Sequence, residues 1–132
     1  MDAAKKLKED HNLEAEVIDL RWINPLKYDM LVESVKKTGR AILVTDSAER
    51  GSYLQTVAAN LGRLAFDYLD APVVVVGSRN WITPPAEMED YYFPMVDSII
   101  DTIHEQLLPL PGHKARRNKT DGEFNRIQAA GV

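Results

Sequence analysis

Three histidines, His11, His104 and His113, are the only imidazoles in the chain. None stands in an H-x-x-x-H or H-E-x-x-H spacing, which would turn two rings toward one metal from a single helix. They read as separate residues, His104 as a surface or packing position on the last helix. The absence of cysteine excludes thiolate zinc sites, iron–sulfur clusters, disulfides and a cysteine nucleophile. A serine hydrolase would need a G-x-S-x-G elbow, a P-loop G-x-x-x-x-G-K-[ST], and a dinucleotide site G-x-G-x-x-G between strand and helix; the sequence contains none of them. Ser47-Ala48-Glu49-Arg50-Gly51-Ser52 sits where a strand passes into a helix, and a helix N-terminus can hold an anion, but Glu49 would repel it. Glu87, Glu89 and Asp90 read as the acidic first half of a helix rather than as an acid–base pair. No catalytic, cofactor-binding or metal-binding residue is assigned on these patterns.

The elements that would position these residues alternate. Ala15 to Leu20 is rich in β-branched residues between His11-Asn12 and Asn24-Pro25, and predicts a strand. Tyr28 to Thr38 predicts a helix, with Leu31, Val35 and Thr38 on one face, Asp29 near its start, Lys36-Lys37 in its last turn and Gly39 beyond. Ala41 to Val44 is too short for a helix and apolar on both sides, as a buried parallel strand must be. A second helix opens at Gly51-Ser52 with Ser52 as cap, carries Leu54, Val57, Ala58, Leu61 and Ala65 at three- and four-residue spacing, and should stop near Leu69. Pro72 to Gly77, a valine run, predicts the clearest strand. After the irregular Trp81-Ile82-Thr83-Pro84-Pro85, a helical turn is expected over Ala86 to Asp90. A last helix starts at Pro94, carries Val96, Ile99, Ile100, Ile103 and Leu107, and ends before Pro109 and Pro111. Met1 to Asp10 reads as amphipathic helical turns with Ala4, Leu7 and Lys8 inward. No strand precedes it, so the chain is expected to start inside a domain. The alternation predicts an α/β/α three-layer sandwich with a mostly parallel sheet over residues 1–108, and a polar, basic tail over 109–132.

Composition bounds the function. At 132 residues, 45% hydrophobic and 27% charged, the chain suits one soluble domain. No apolar run approaches the ~20 residues of a membrane span, and the first ten residues lack the apolar stretch of a secretory signal, so a cytoplasmic location is expected. Residues 1–108 carry a net charge of −7 and residues 109–132 a net +3. An acidic body argues against nucleic-acid binding. The basic run His113 to Lys119 reads as solvated, and Phe124 and Ile127, with Arg126 between them, lie in an extension expected to be disordered.

Several ordered segments carry a resemblance. Glu16-Val17-Ile18-Asp19-Leu20-Arg21 is followed by Asn24-Pro25-Leu26, then by Ser34-Val35-Lys36-Lys37-Thr38-Gly39-Arg40 and Phe66-Asp67-Tyr68-Leu69-Asp70-Ala71-Pro72. Pro84-Pro85-Ala86 and Tyr92-Phe93-Pro94 before Ile99-Ile100 complete the series. From about Ala3 to Leu108 the chain resembles the C-terminal, transketolase-like domain of the beta subunit of thiamine-diphosphate-dependent 2-oxo acid dehydrogenases, acting on pyruvate or a branched-chain 2-oxo acid. The family's domain has further strands upstream that this chain lacks, and the tail extends past its usual end. The resemblance implies a complete enzyme of alpha and beta subunits that decarboxylates a 2-oxo acid and acylates lipoyl groups of an acyltransferase core. It implies thiamine diphosphate and magnesium held elsewhere in that enzyme, by the G-D-G motif that the alpha subunit carries and by a glutamate in the preceding domain of the beta subunit. This chain alone is therefore expected to be inactive and to bind no cofactor. What the resemblance implies here is assembly with the alpha subunit and a second beta subunit, and docking of the acyltransferase's subunit-binding domain at Asp70, with Asp67 one helical turn earlier on the same acidic surface. A sheet without its central strand is further expected to self-associate. The alternatives are a free-standing α/β interaction or small-ligand module, or the equivalent domain of a transketolase-type enzyme.

Overall fold

The valine run and the shorter apolar run before it find each other. In the computed structural model, which describes residues 1–115, β1 (Ile42–Ala48) and β2 (Val74–Ser78) form a parallel two-stranded sheet. Ile42 stands opposite Val74, Leu43 opposite Val75 and Val44 opposite Val76, before an irregularity brings Ala48 opposite Ser78. Parallel neighbours need a crossover, and α3 (Tyr53–Leu64) supplies it, burying Val57, Ala58 and Leu61 on the face its spacing predicts. Ser52 is its N-cap residue, but the hydroxyl bonds back to Glu49 O at 3.3 Å instead of to a helix N–H.

α2 (Asp29–Thr38) packs beside α3 as the periodicity requires. Leu31 and Val35 are buried, while Thr38 is exposed at the end of the stripe. Gly39 closes the helix in the left-handed region at φ 69°, its N–H bonded to Val35 O. Leu31, Val35, Val57, Leu61 and Ala65 form the main core, joined by Leu43 of β1 and by Val73 just before β2. A second cluster joins α1 (Asp2–His11) to α5 (Val96–Thr102) through Leu7 and Ile100, with Leu110 as its third buried member. Lys8, expected inward, is exposed and paired with Glu14.

Three expectations are corrected. Residues 15–20 do not form a strand: among the described residues no backbone acceptor meets the N–H groups of residues 14–20, so their β-branched composition has no ladder to join. Ile18 and Leu20 pack against the main core instead. The long helix stops at Leu64 rather than near Leu69, because Ala65 leaves helical geometry at φ −114°, and a 3₁₀ turn over Phe66–Tyr68 follows with bonds to Ala65 O and Phe66 O. The final helix begins at Val96 and passes into a π turn over Ile103–Leu107. Between them, α4 (Glu89–Tyr92) follows a 3₁₀ turn over Ala86–Met88. The tail residues Arg116 to Val132, including Phe124, Arg126 and Ile127, lie outside the described residues.

Candidate functional site

The absence of pairing at residues 14–20 leaves a cleft of about 850 Å³ between that segment and β1. Ile18 and Leu20 line one side, Ile42 and Val44 the other, with Val35 and Leu107 among the apolar residues closing it. The Val74 N–H donates to Ala41 O at 3.1 Å, so strand alternation turns the N–H and C=O groups of Ile42 and Val44 away from β2. β1 is correspondingly half-exposed, with Val44 at 45%, while Val74, Val75 and Val76 are each at 8%. A sheet edge of this kind recruits another strand by main-chain hydrogen bonds.

Side chains on the opposite side of the cleft hold the unpaired segment in place. Glu16 accepts from Ser34 Oγ at 2.9 Å and from Lys37 Nζ at 3.2 Å, both on α2. The Ser34 hydroxyl, and after it Lys37, keep the Glu16 carboxyl below the usual glutamate range. Glu14 is held low in the same way by its bond to Lys8, and Asp19 pairs with Arg21 at 2.8 Å. The carboxylates of this rim are therefore occupied by cations of the same chain.

Asp70 sits on the surface, its side chain 59% exposed, and Asp67 is exposed in the 3₁₀ turn before it. The Asp70 N–H bonds Gly39 O at 2.7 Å, and its carboxylate meets Arg40 Nη1 at 3.1 Å. Arg40 in turn donates from Nε to Leu107 O at 3.2 Å. The corner thus links α2, the approach to β2 and the end of the π turn.

The histidines that read as separate in sequence converge. The His113 ring lies 5.5 Å from His11 and 5.2 Å from His104, centroid to centroid, and His113 Nε2 is 2.7 Å from Oδ1 of the fully buried Asp101. Among the described residues no group of three or more His, Asp or Glu side chains is placed to hold a metal. The gathering depends on residues 108–115 folding back over α5, which no local spacing reveals. Ser98, Asp101 and Thr102 lie opposite the apolar stripe, where the sequence reads as a solvent face, yet all three are buried. At the far end of β2, Tyr92 is buried, and the hydroxyls of Ser78 and then Thr83 lower its phenol below the usual tyrosine range.

Against known proteins, the family model described as "Transketolase, C-terminal domain" matches residues 1–99. The chain belongs to this family. Among curated relatives of this transketolase C-terminal domain, a pyruvate dehydrogenase E1 component subunit beta from Rickettsia bellii is 40% identical over 104 residues, covering 78% of the chain and 32% of the relative. The subunit of the same name from Bacillus subtilis is 33% identical over 107 residues, covering 81% and 33%. The mitochondrial one from Saccharomyces cerevisiae is 38% identical over 109 residues, covering 81% and 30%. The chain spans about a third of the length of the curated relatives it matches. The match takes in β1, β2, Asp70 and the first half of α5, and it stops short of Asp101, His104, Leu107 and His113.

Proposed function

We propose that this transketolase C-terminal domain is a non-catalytic assembly and docking domain from the beta subunit of a 2-oxo acid dehydrogenase decarboxylase component. The observation that carries the reading is the bare edge of β1 facing an apolar cleft, a surface built for association and lacking any set of groups suited to bond-making chemistry. The names of the relatives supply the enzyme class. In the complete enzyme the partners are the alpha subunit, a second beta subunit and the lipoyl acyltransferase, and the reaction is oxidative decarboxylation of a 2-oxo acid with acylation of lipoyl groups.

Thiamine diphosphate and magnesium belong to the remainder of that enzyme. The residues here do not fit the group: the cleft is largely aliphatic, and the carboxylates at its rim are each bonded to Lys8, Lys37 or Arg21. No catalytic step is therefore routed through this chain, and alone it is inactive.

Asp70, with Asp67, forms the acyltransferase docking point. An exposed carboxylate suits a bidentate arginine from a partner, and pairing with Arg40 leaves Asp70 more than half exposed. Asp70→Asn in the complete enzyme is expected to cost about 1–3 kcal/mol of acyltransferase affinity, the range for a charge-assisted hydrogen bond. The loss should shrink as salt rises, while decarboxylation with an artificial electron acceptor stays at wild type. An Asp70→Asn enzyme that binds the acyltransferase normally but melts several degrees lower would assign the aspartate to the Arg40 corner alone.

A further inference from the structure

We propose that His104 and His113, on either side of the turn at Gly112, form a proton-sensitive latch that holds residues 108–115 against α1 and α5 at neutral pH and loses its Leu110 fastening on mild acidification. The segment is fastened at two points. The Leu110 N–H donates to His104 Nδ1 at 2.8 Å, and His113 Nε2 lies 2.7 Å from Asp101 Oδ1. Between them the chain turns at Gly112, φ 76°, and the His113 N–H bonds Leu110 O at 3.1 Å. The fastening seats Leu110, 1% exposed, against Leu7 and Ile100, so it closes the second core.

The two histidines respond to a proton in different ways. A backbone N–H is always a donor, so His104 Nδ1 must offer its lone pair, which only the neutral ring with its proton on Nε2 can do. Protonating His104 puts an N–H where the Leu110 N–H already points, and the bond is lost. His113 by contrast keeps its bond when protonated, because a ring N–H there donates to a carboxylate, whose side-chain exposure is 1%. The site holds three imidazoles, with centroids 5.5 Å and 5.2 Å on either side of His113, around the Asp101 charge.

Other charged groups lie on the surrounding elements. From α1 they are Lys6, paired with Asp97 of α5, and Asp10, paired with Lys6; from the π turn, Glu105; from the segment itself, Lys114. Lys6 and Lys114 stand against Asp10, Asp97 and Glu105, which leaves these groups near balance, so the response is set by the bond that each ring makes. Acid therefore opens the latch at His104, while the Asp101–His113 contact survives longest.

The test uses the full chain. Long-range proton–nitrogen spectra should show His104 as the Nε2–H tautomer near neutral pH. As the pH falls from about 7.5 to about 5.5, amide exchange of Leu110, corrected for its intrinsic pH dependence, should lose about tenfold in protection as His104 protonates, the weight of roughly one hydrogen bond. The amides of Val57 and Leu61 in the main core should keep theirs. His104→Gln, which retains an acceptor and cannot titrate, should hold Leu110 protected at both pH values. The proposal is overturned if His104 carries its proton on Nδ1 at neutral pH, if Leu110 protection does not change with pH, if the α3 amides lose protection together with it, or if His104→Gln shows the same acid loss. Should His104→Gln fail to fold, the wild-type tautomer and exchange profile decide alone.

Discussion

Gly39 takes φ 69° to end α2, and the space where a side chain would stand is filled by the Asp70 carboxylate. A Cβ there meets two penalties, the left-handed backbone and a collision with Asp70. Gly39→Ala is expected to lower unfolding stability by about 1–3 kcal/mol in urea denaturation. Adding Asp70→Ala should recover the collision part and leave the backbone part, so the double variant should be more stable than Gly39→Ala alone. Equal stabilities would show that Asp70 swings aside at no cost. The Arg40–Asp70 pair is too exposed to account for much of the effect itself. The sequence marked Gly39 as a helix cap and Asp70 as a surface carboxylate, and both readings hold. Their contact is long-range, and no pattern within either segment contains it.

At the scale of elements, residues 15–20 are the informative failure. Ala15, Val17 and Ile18 are the residue types of a strand, but strand propensity describes fitness for a pleated surface and says nothing about whether a neighbour exists. β1 and β2 lie side by side and supply one another's partner, so their shorter patterns sufficed. The unpaired segment depends instead on Glu16, bonded to Ser34 and Lys37. Because the Glu16 carboxyl is held below its ordinary value, the tether is complete above about pH 4.3, the unfolded glutamate value, and is lost as the pH falls through the lowered folded one. The carboxyl carbon shift of Glu16 should accordingly titrate below the glutamate range, and Ser34→Ala should move its midpoint upward. A Glu16 midpoint that Ser34→Ala leaves in place would remove the hydroxyl as the cause. The end of α5 teaches the complementary lesson, since its apolar stripe was legible while the burial of Ser98, Asp101 and Thr102 was not. That burial comes from residues 108–115, whose prolines read only as a helix stop.

For the whole molecule, helix–strand alternation and the motif order were enough to reach the α/β class and the family, because both depend on local pattern. The open side of the sheet follows from what lies next to β1, and it governs how the chain behaves in solution. The outward peptide groups of Ile42 and Val44 are obligatory hydrogen-bonding groups, and the cleft beside them exposes aliphatic side chains, which water solvates poorly, within a polar and charged rim. A formal net charge of −4 spread over 132 residues offers little repulsion against contact at that edge. The chain on its own is therefore expected to self-associate, with light scattering showing a mass above that of one chain that rises with concentration. Val44, 45% exposed on the edge strand, is the position at which a charge should oppose this without entering the buried core. Val44→Lys follows the way natural edges are blunted and should return the mass toward a single chain while leaving the helical signal intact. A wild-type chain that stays monomeric at high concentration, with slow amide exchange at both Ile42 and Val44, would mean that the edge is already satisfied within one molecule. The association reading of the cleft would then be lost, and the Asp70 corner would remain as the separate docking hypothesis.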